Sequence, residues 1–287
     1  MCRLFGLHAG AEDVDATFWL LDAPFTISEQ SHRNPDGYGL ATFTAAGELT
    51  VVKRPARAAE DEAFARHARA THAEVHLAHV RYADTGGVGM TNTHPFVLDG
   101  RAFAHNGVVA DLDEIDRRLR ANRRLVAGET DSERMFALIT LAIREHGGDV
   151  RSGIIAATTG LAREITLYSI NFLLATPGEL WALRYPQHNH LYVLSRGAGG
   201  PRGDQLLDEH SAYGTMRMRA PEGSRRPFVV VASEPMDEDL GWQEIDSGEL
   251  LHVGADLNVH REIILPDPPR KPLSLTDRAA RSQAQER

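Results

Sequence analysis

Cysteine is nearly absent from this chain: one residue in 287, at position 2. A single thiol excludes an intrachain disulfide framework and any metal site built from several cysteines, and a chain without disulfides fits the cytoplasm. No stretch approaches the roughly 18 consecutive apolar residues that span a bilayer. Residues 1–30 hold no basic segment followed by an apolar run, so neither an anchor nor a signal peptide is expected. Basic charge is also short: 31 Lys and Arg stand against 40 Asp and Glu, a net −9. That balance argues against general affinity for nucleic acid or anionic membranes, without excluding a local basic patch. No repeat of fixed period, P-loop, dinucleotide fingerprint, G-x-S-x-G or H-E-x-x-H occurs. What is present is ordinary globular composition, 42% hydrophobic and 25% charged, with length for one large core or two modest ones.

The opening "CRLFGLHAG" reads as a strand beginning almost at the first residue. Residues 12–23 read as a short helix, and "NPDGYG" (34–39) is turn chemistry leading into "LATFT". An Ala/Glu/Arg-rich stretch at 57–72 reads as helix. "EVHLAHVRYA" (74–83) and "RAFAH" (101–105) read as strands around the Gly-rich "DTGGVGMTNTHP". At 130–133 "TDSE" has the form of a capping box, followed by Met135, Phe136, Ile139, Ala142 and Ile143 at helical spacing. The second half is strand-rich: "ITLYSINFLLAT", a "PGE" turn, "LWALRY", "PFVVVASEP" and "ELLHVGADLNVHREIIL". Strands in clusters with grouped helices predict antiparallel sheets flanked by helices, an α+β arrangement. Residues 266–287 are polar and are expected to form a mobile tail.

Some signals look chemical without reading so in context. His72, His76 and His79 have partial metal-ligand spacing, but a strand from about 74 turns 76 and 79 to opposite faces, so no metal site is expected. "HNH" (188–190) sits beside a turn, and "GAGGPRG" (197–203) reads as a surface loop.

Cys2 admits two readings. It is either a small buried residue near the start, or, once Met1 is removed, a nucleophile carrying its own base. A free thiol titrates near 8.5 and an α-amine near 7.7–8.0, so one residue can supply both attack and proton transfer. "HNG" (105–107) likewise reads as a hairpin turn or as an oxyanion hole, with an amide donor from Asn106 and a backbone N–H from Gly107.

Five stretches occur in order: "MCRLFG", "NPDGYG", "HVRYADTGG", "THPF…AHNG" and "ETDSE". Together they resemble the glutaminase domain of class II glutamine amidotransferases, a family of N-terminal nucleophile hydrolases, and most of all the stand-alone members without a synthetase domain. "VVASEPMDEDLGWQEIDSGELLHVG" (230–254) resembles that family's later strands, so the likeness covers nearly the whole chain. It implies a four-layer αββα sandwich over 1–265, with Cys2 as nucleophile, Asn106 and Gly107 as the oxyanion hole, and no metal or organic cofactor. Arg81 and Asp131 would hold the α-carboxylate and α-ammonium of a glutamyl group. Without the resemblance they read as a strand-end charge and a first-turn carboxylate. His94 and Pro95 match the family's "HP" step and would shape the loop behind the site. Two departures stand out: Asp84 and Thr85 replace the more usual Thr-His, and Asn34 replaces Gly in "GPDG". The implied activity is hydrolysis of glutamine or another γ-glutamyl amide through a thioester. The alternatives are a glutaminase subunit passing ammonia to a separate synthetase partner, or a non-catalytic relative; a scaffold has no need of all five site residues.

Overall fold

The structure, a computed structural model, describes residues 2–83, 85–198, 207–210, 217–220 and 226–275. Met1, Asp84 and most of the "GAGGPRG" stretch lie outside them.

Alternating apolar residues build two large antiparallel sheets among the described residues. Their strands, numbered along the chain, are β1 (Arg3–His8), β2 (Gly37–Phe43), β3 (Leu49–Arg54), β4 (Val75–Arg81), β5 (Phe96–Leu98), β6 (Arg101–Val109), β7 (Leu167–Thr176), β8 (Glu179–Arg184), β9 (Tyr192–Arg196), β10 (Phe228–Ala232), β11 (Gln243–Glu244), β12 (Glu249–Gly254) and β13 (Val259–Ile263). The first sheet runs β11-β9-β10-β1-β4-β2-β3 and the second β13-β12-β8-β7-β6-β5. Helices α1 (Ile27–Gln30) and α2 (Glu62–Ala70) cover the outer face of the first sheet, where Ile27, Phe64 and Ala68 pack on Phe5, Tyr38, Leu40 and Val80. Helices α3 (Leu112–Leu119), α4 (Asp131–Glu145) and α5 (Val150–Glu164) cover the second sheet, with Phe136 stacked on Phe103 at 4.8 Å. Leu4, Ala41, Leu77, Ala102, Ala104, Leu173 and Leu180 fill the layer between the sheets. The result is a four-layer αββα sandwich, the architecture that the resemblance implies.

Three local expectations need correction, and one alternative is removed. Residues 12–23 form no α-helix: Val14–Asp15 pairs as a two-residue strand with His72–Ala73, and Phe18–Asp22 makes a single π-type turn. Trp19 anchors that turn against Phe18, Phe228 and Trp242, so packing prevails over helical propensity. Thr130 caps α4 by accepting from the Glu133 N–H at 3.2 Å, but the Glu133 carboxylate takes the N–H groups of Ala127 and Gly128 (2.9 and 2.7 Å), leaving the reciprocal half of the capping box unmade. "NG" is not a turn, because Asn106 and Gly107 lie inside β6, paired with Asn171 and Ile170. The start of the polar tail is held in place: Leu167 donates to the Lys271 carbonyl (3.1 Å), Leu273 to Leu167 (2.8 Å) and Arg270 to Ala162 (2.9 Å). Residues 276–287 lie outside the described residues.

Candidate active site

Cys2 stands one residue before β1, whose Arg3 pairs with Val80, so its neighbours across the ladder are the last residues of β4 and the turn that follows. The thiol sulfur accepts the Tyr82 N–H at 3.4 Å and lies 3.5 Å from the Tyr82 carbonyl. Asp36, from the "NPDG" stretch, fixes that turn: its carboxylate accepts the Ala83 N–H (2.7 Å) and its own N–H reaches the Arg81 carbonyl (3.0 Å). Asn34 is buried, and its Nδ2 donates to the Gln30 carbonyl at 2.9 Å. The departure from Gly thus gives the short α1 a side-chain cap.

Arg81 is 2% exposed, which disposes of a solvated strand-end charge. Its guanidinium donates to the carbonyls of Thr85 (2.8 Å), Gly86 (3.3 Å) and Gly87 (3.0 Å). Burial pushes its pKa down, while Cys2, Asp36 and Asp131 act on it in the opposite sense, so the thiol and both carboxylates each lie within electrostatic reach of the guanidinium. The hydrogen-bond partners are neutral dipoles using three of five N–H groups, and the buried cation keeps donors and charge for an anionic group. Asn92 ties this loop to α4: its Nδ2 donates to the Gly87 carbonyl (3.1 Å), and its Oδ1 accepts the Glu129 N–H (2.8 Å).

Asp131 opens α4 and is 4% exposed. Its two oxygens accept the N–H groups of Val109 (2.8 Å) and Ser132 (2.9 Å). It therefore does more than favour a helix terminus: it pins β6 at the irregularity between Val108 and Val109, two residues past Gly107. Its Oδ1 also lies 3.4 Å from the Ser132 hydroxyl.

Asn106 is fully buried, and neither its Oδ1 nor its Nδ2 has a hydrogen-bond partner in the protein. A buried amide in that state costs about 1–3 kcal/mol. Gly107 is required where it stands, since a Cβ would come within 1.9 Å of the Ser169 carbonyl.

Behind these residues sits a histidine stack. His79 lies 4.1 Å from His94, which meets Phe96 at 4.5 Å. Burial pushes His79 down to about 3 and His94 well below its ordinary range, so both rings are neutral near pH 7. His79 Nε2 therefore carries the proton and donates to the His105 carbonyl at 3.2 Å, linking the two sheets beside Asn106. His76 turns to the opposite face, against the Val14 and Ala73 carbonyls. A groove of about 630 Å³ is lined by Arg3, Leu21, Phe25, Arg33, Asn34 and Glu234. Its Arg3 guanidinium touches the Cys2 carbonyl at 3.3 Å.

Asp36, His79, Asn171 and Asn189 were not among the site residues expected from the sequence, where His79 was weighed only as a metal ligand. Asn171 carries a legible signal, a polar residue in the apolar alternation of "ITLYSINFLLAT". Asn189 stood inside the discounted "HNH" and is fully buried.

Fold and site together define a class II glutamine amidotransferase domain. The family model described as glutamine amidotransferases class-II matches residues 1–267, and the chain belongs to that family. The chain is 27% identical over 262 residues to the uncharacterized protein MJ1515 of Methanocaldococcus jannaschii, covering 88% of this chain and 68% of that one. It is 28% identical over 260 residues to the probable glutamine amidotransferase DUG3 of Saccharomyces cerevisiae, covering 81% and 73%. Among solved structures, glutamine phosphoribosylpyrophosphate amidotransferase from B. subtilis superposes with a TM-score of 0.64 at 18% identity, over 93% of this chain and half of that one. No described helix is long and apolar enough to cross a membrane.

Proposed function

We propose that this protein hydrolyses the side-chain amide of glutamine or of a related γ-glutamyl compound, with Cys2 as nucleophile after removal of Met1. The observation that supports the reading is that the Cys2 thiol and the buried Asp131 carboxylate each lie within electrostatic reach of the buried Arg81 guanidinium. Arg81 holds the α-carboxylate and Asp131 the α-ammonium, which fixes the glutamyl group in one orientation. The Cys2 sulfur attacks the amide carbon, and the C=O π electrons move to oxygen. The oxyanion is met by Asn106 Nδ2 and the Gly107 N–H. The freed α-amine takes the thiol proton and delivers it to the departing nitrogen, so the C–N bond breaks and a γ-glutamyl thioester remains. Water, deprotonated by the same amine, then cleaves the thioester, releasing glutamate and restoring the thiol. These steps call on this chain's own side chains and water.

A second reading, delivery of ammonia to a separate synthetase partner, has in its favour that the chain spans half of the B. subtilis amidotransferase it superposes on. One experiment separates the two: incubate the purified protein with glutamine and with γ-glutamyl dipeptides, follow glutamate by mass spectrometry, and measure the intact mass. Glutamate release from a chain lacking Met1 is expected. Release only after a synthetase is added favours transfer, and full activity with Met1 retained overturns the α-amine as base.

A further inference from the structure

We infer that Asn189 is a positioning residue for the oxyanion hole, acting through the Asn106–Gly107 peptide; the inference rests on the reading of the Gly107 N–H as an oxyanion donor. That peptide is trans, so its C=O and N–H point in opposite directions. Its orientation follows from the ladder. Ile170 turns its N–H to the Tyr185 carbonyl at 2.8 Å, away from β6. By the alternation of an antiparallel pair, Asn171 turns its own N–H and C=O toward β6, and its register partner Asn106 turns its groups toward β7. The Asn106 carbonyl therefore points to the β7 side, and the Gly107 N–H points to the other. On that other side β5 reaches only residues 101–103 of β6, so no described strand takes up the Gly107 N–H.

Two side chains approach the Asn106 carbonyl: Ser169 Oγ at 3.5 Å and Asn189 Nδ2 at 3.4 Å. Ser169 has a single hydroxyl proton and a shorter acceptor, Asn171 Oδ1 at 3.2 Å. Asn189 is thus the side-chain donor to this peptide. It comes from the turn after β8, and its main chain is locked there, because its carbonyl accepts from Asn171 Nδ2 (3.0 Å) and Arg184 Nε (2.9 Å). A donor on a carbonyl polarises the peptide it belongs to and makes that peptide's N–H a stronger donor in turn. In a fully buried setting the effect is undiluted by water, and it also resists rotation of the peptide plane as the oxyanion forms. The "HNH" turn of the sequence thus reaches the chemistry from behind, without touching the substrate.

The test uses Asn189→Ala and Asn189→Leu in the full chain, the second filling the volume in case the first fails to fold. The anchoring hydrogen bonds run to the Asn189 main chain, so both variants keep them. The expected result is a kcat lower by about tenfold with KM unchanged, and an upfield move of the Gly107 amide proton in spectra of protein labelled at glycine with 15N. An unmoved Gly107 amide overturns the coupling whatever the kinetics, as does an unchanged kcat. Absence of turnover in the unaltered protein overturns the reaction itself, and the amide shift still decides whether Asn189 acts on this peptide.

Discussion

The two ends of the layer between the sheets are built from the same strands and differ completely in chemistry. At one end the inward positions are Leu4, Val75, Leu77, Ala102, Ala104, Leu173 and Ala175. Two residues along each of those strands, on the same face, stand Cys2, His79 and then Arg81, Asn106, and Asn171. The apolar end is closed, and a methyl group added at Gly6 would meet Leu173 and Leu180 at 3.1 Å. The polar end is buried almost as deeply, yet holds a cation, an unpartnered amide and two unprotonated histidines. Burying such groups costs stability that packed hydrocarbon would supply. The apolar end therefore sets strand register and supplies the stability, and the polar end gives part of it up to buried polar groups.

Cys2→Ala should break that division most sharply. Turnover should vanish, with no detectable glutamate release, while stability changes by no more than about 1–2 kcal/mol, since a small thiol contributes little packing. Kinetics and urea unfolding on one preparation check both halves. Residual turnover above background would remove Cys2 from the nucleophile's role.

The mirror experiment is Leu173→Ala at the apolar end. Leu173 is fully buried, opposite Ala104 and Ala182 in its two ladders. The cavity should cost about 2–5 kcal/mol, with kcat for the folded fraction unchanged. A drop in kcat at a temperature where the variant is fully folded would show that the two ends are not separable.

Arg81→Lys and Asp131→Asn come next. Loss of a charge-assisted contact to a buried ligand should lower kcat/KM by about 2–4 kcal/mol. Lys is a poor substitute because a point charge cannot hold three loop carbonyls and a carboxylate together. If Asp131→Asn leaves kcat/KM for a γ-glutamyl substrate unchanged, its carboxylate only braces Val109.

The same contrast explains what could be read from sequence. Local and periodic signals were legible: the strand at 74–83, the Thr130 cap, and the helical spacing of Met135, Phe136, Ile139 and Ile143, all buried as their period required. The layered fold was legible through the resemblance, and only the resemblance proposes the set Cys2, Arg81, Asn106, Gly107 and Asp131, since no spacing rule links positions 2, 81, 106 and 131. Supporting contacts were not legible, because each joins residues far apart in the chain. Asp36 reaches Ala83, His79 reaches the strand of Asn106, and Asn189 reaches Asn106 across 83 positions. The hairpin-turn alternative at 106–107 falls for a related reason: Gly107 serves the approach of Ser169, a tertiary demand that a dipeptide rule cannot register.

The smallest expected effect concerns the titratable part of the polar end. His79 has its pKa pushed by burial to about 3, against an ordinary value of 6.5, with Arg81 and His105 adding to the shift. The folded protein therefore leaves this ring unprotonated where the unfolded chain would protonate it. The unfolded state binds more protons below pH 6.5, so the contribution of His79 is whole above that pH and is lost as pH falls toward 3. The loss amounts to about 1.4 kcal/mol per pH unit at most for one such histidine. His8, His76, His94 and His105 are lowered by burial as well, so the parent protein should lose stability steeply in acid and the share of His79 must be taken by difference. His79→Gln keeps a side-chain N–H for the His105 carbonyl and removes the titrating ring. Its unfolding free energy, measured in urea between pH 7.5 and 5, should fall less steeply than the parent's, by up to about one proton's worth of slope. Identical slopes would mean that His79 is protonated in the folded state and that the polar end is wetter than its burial implies.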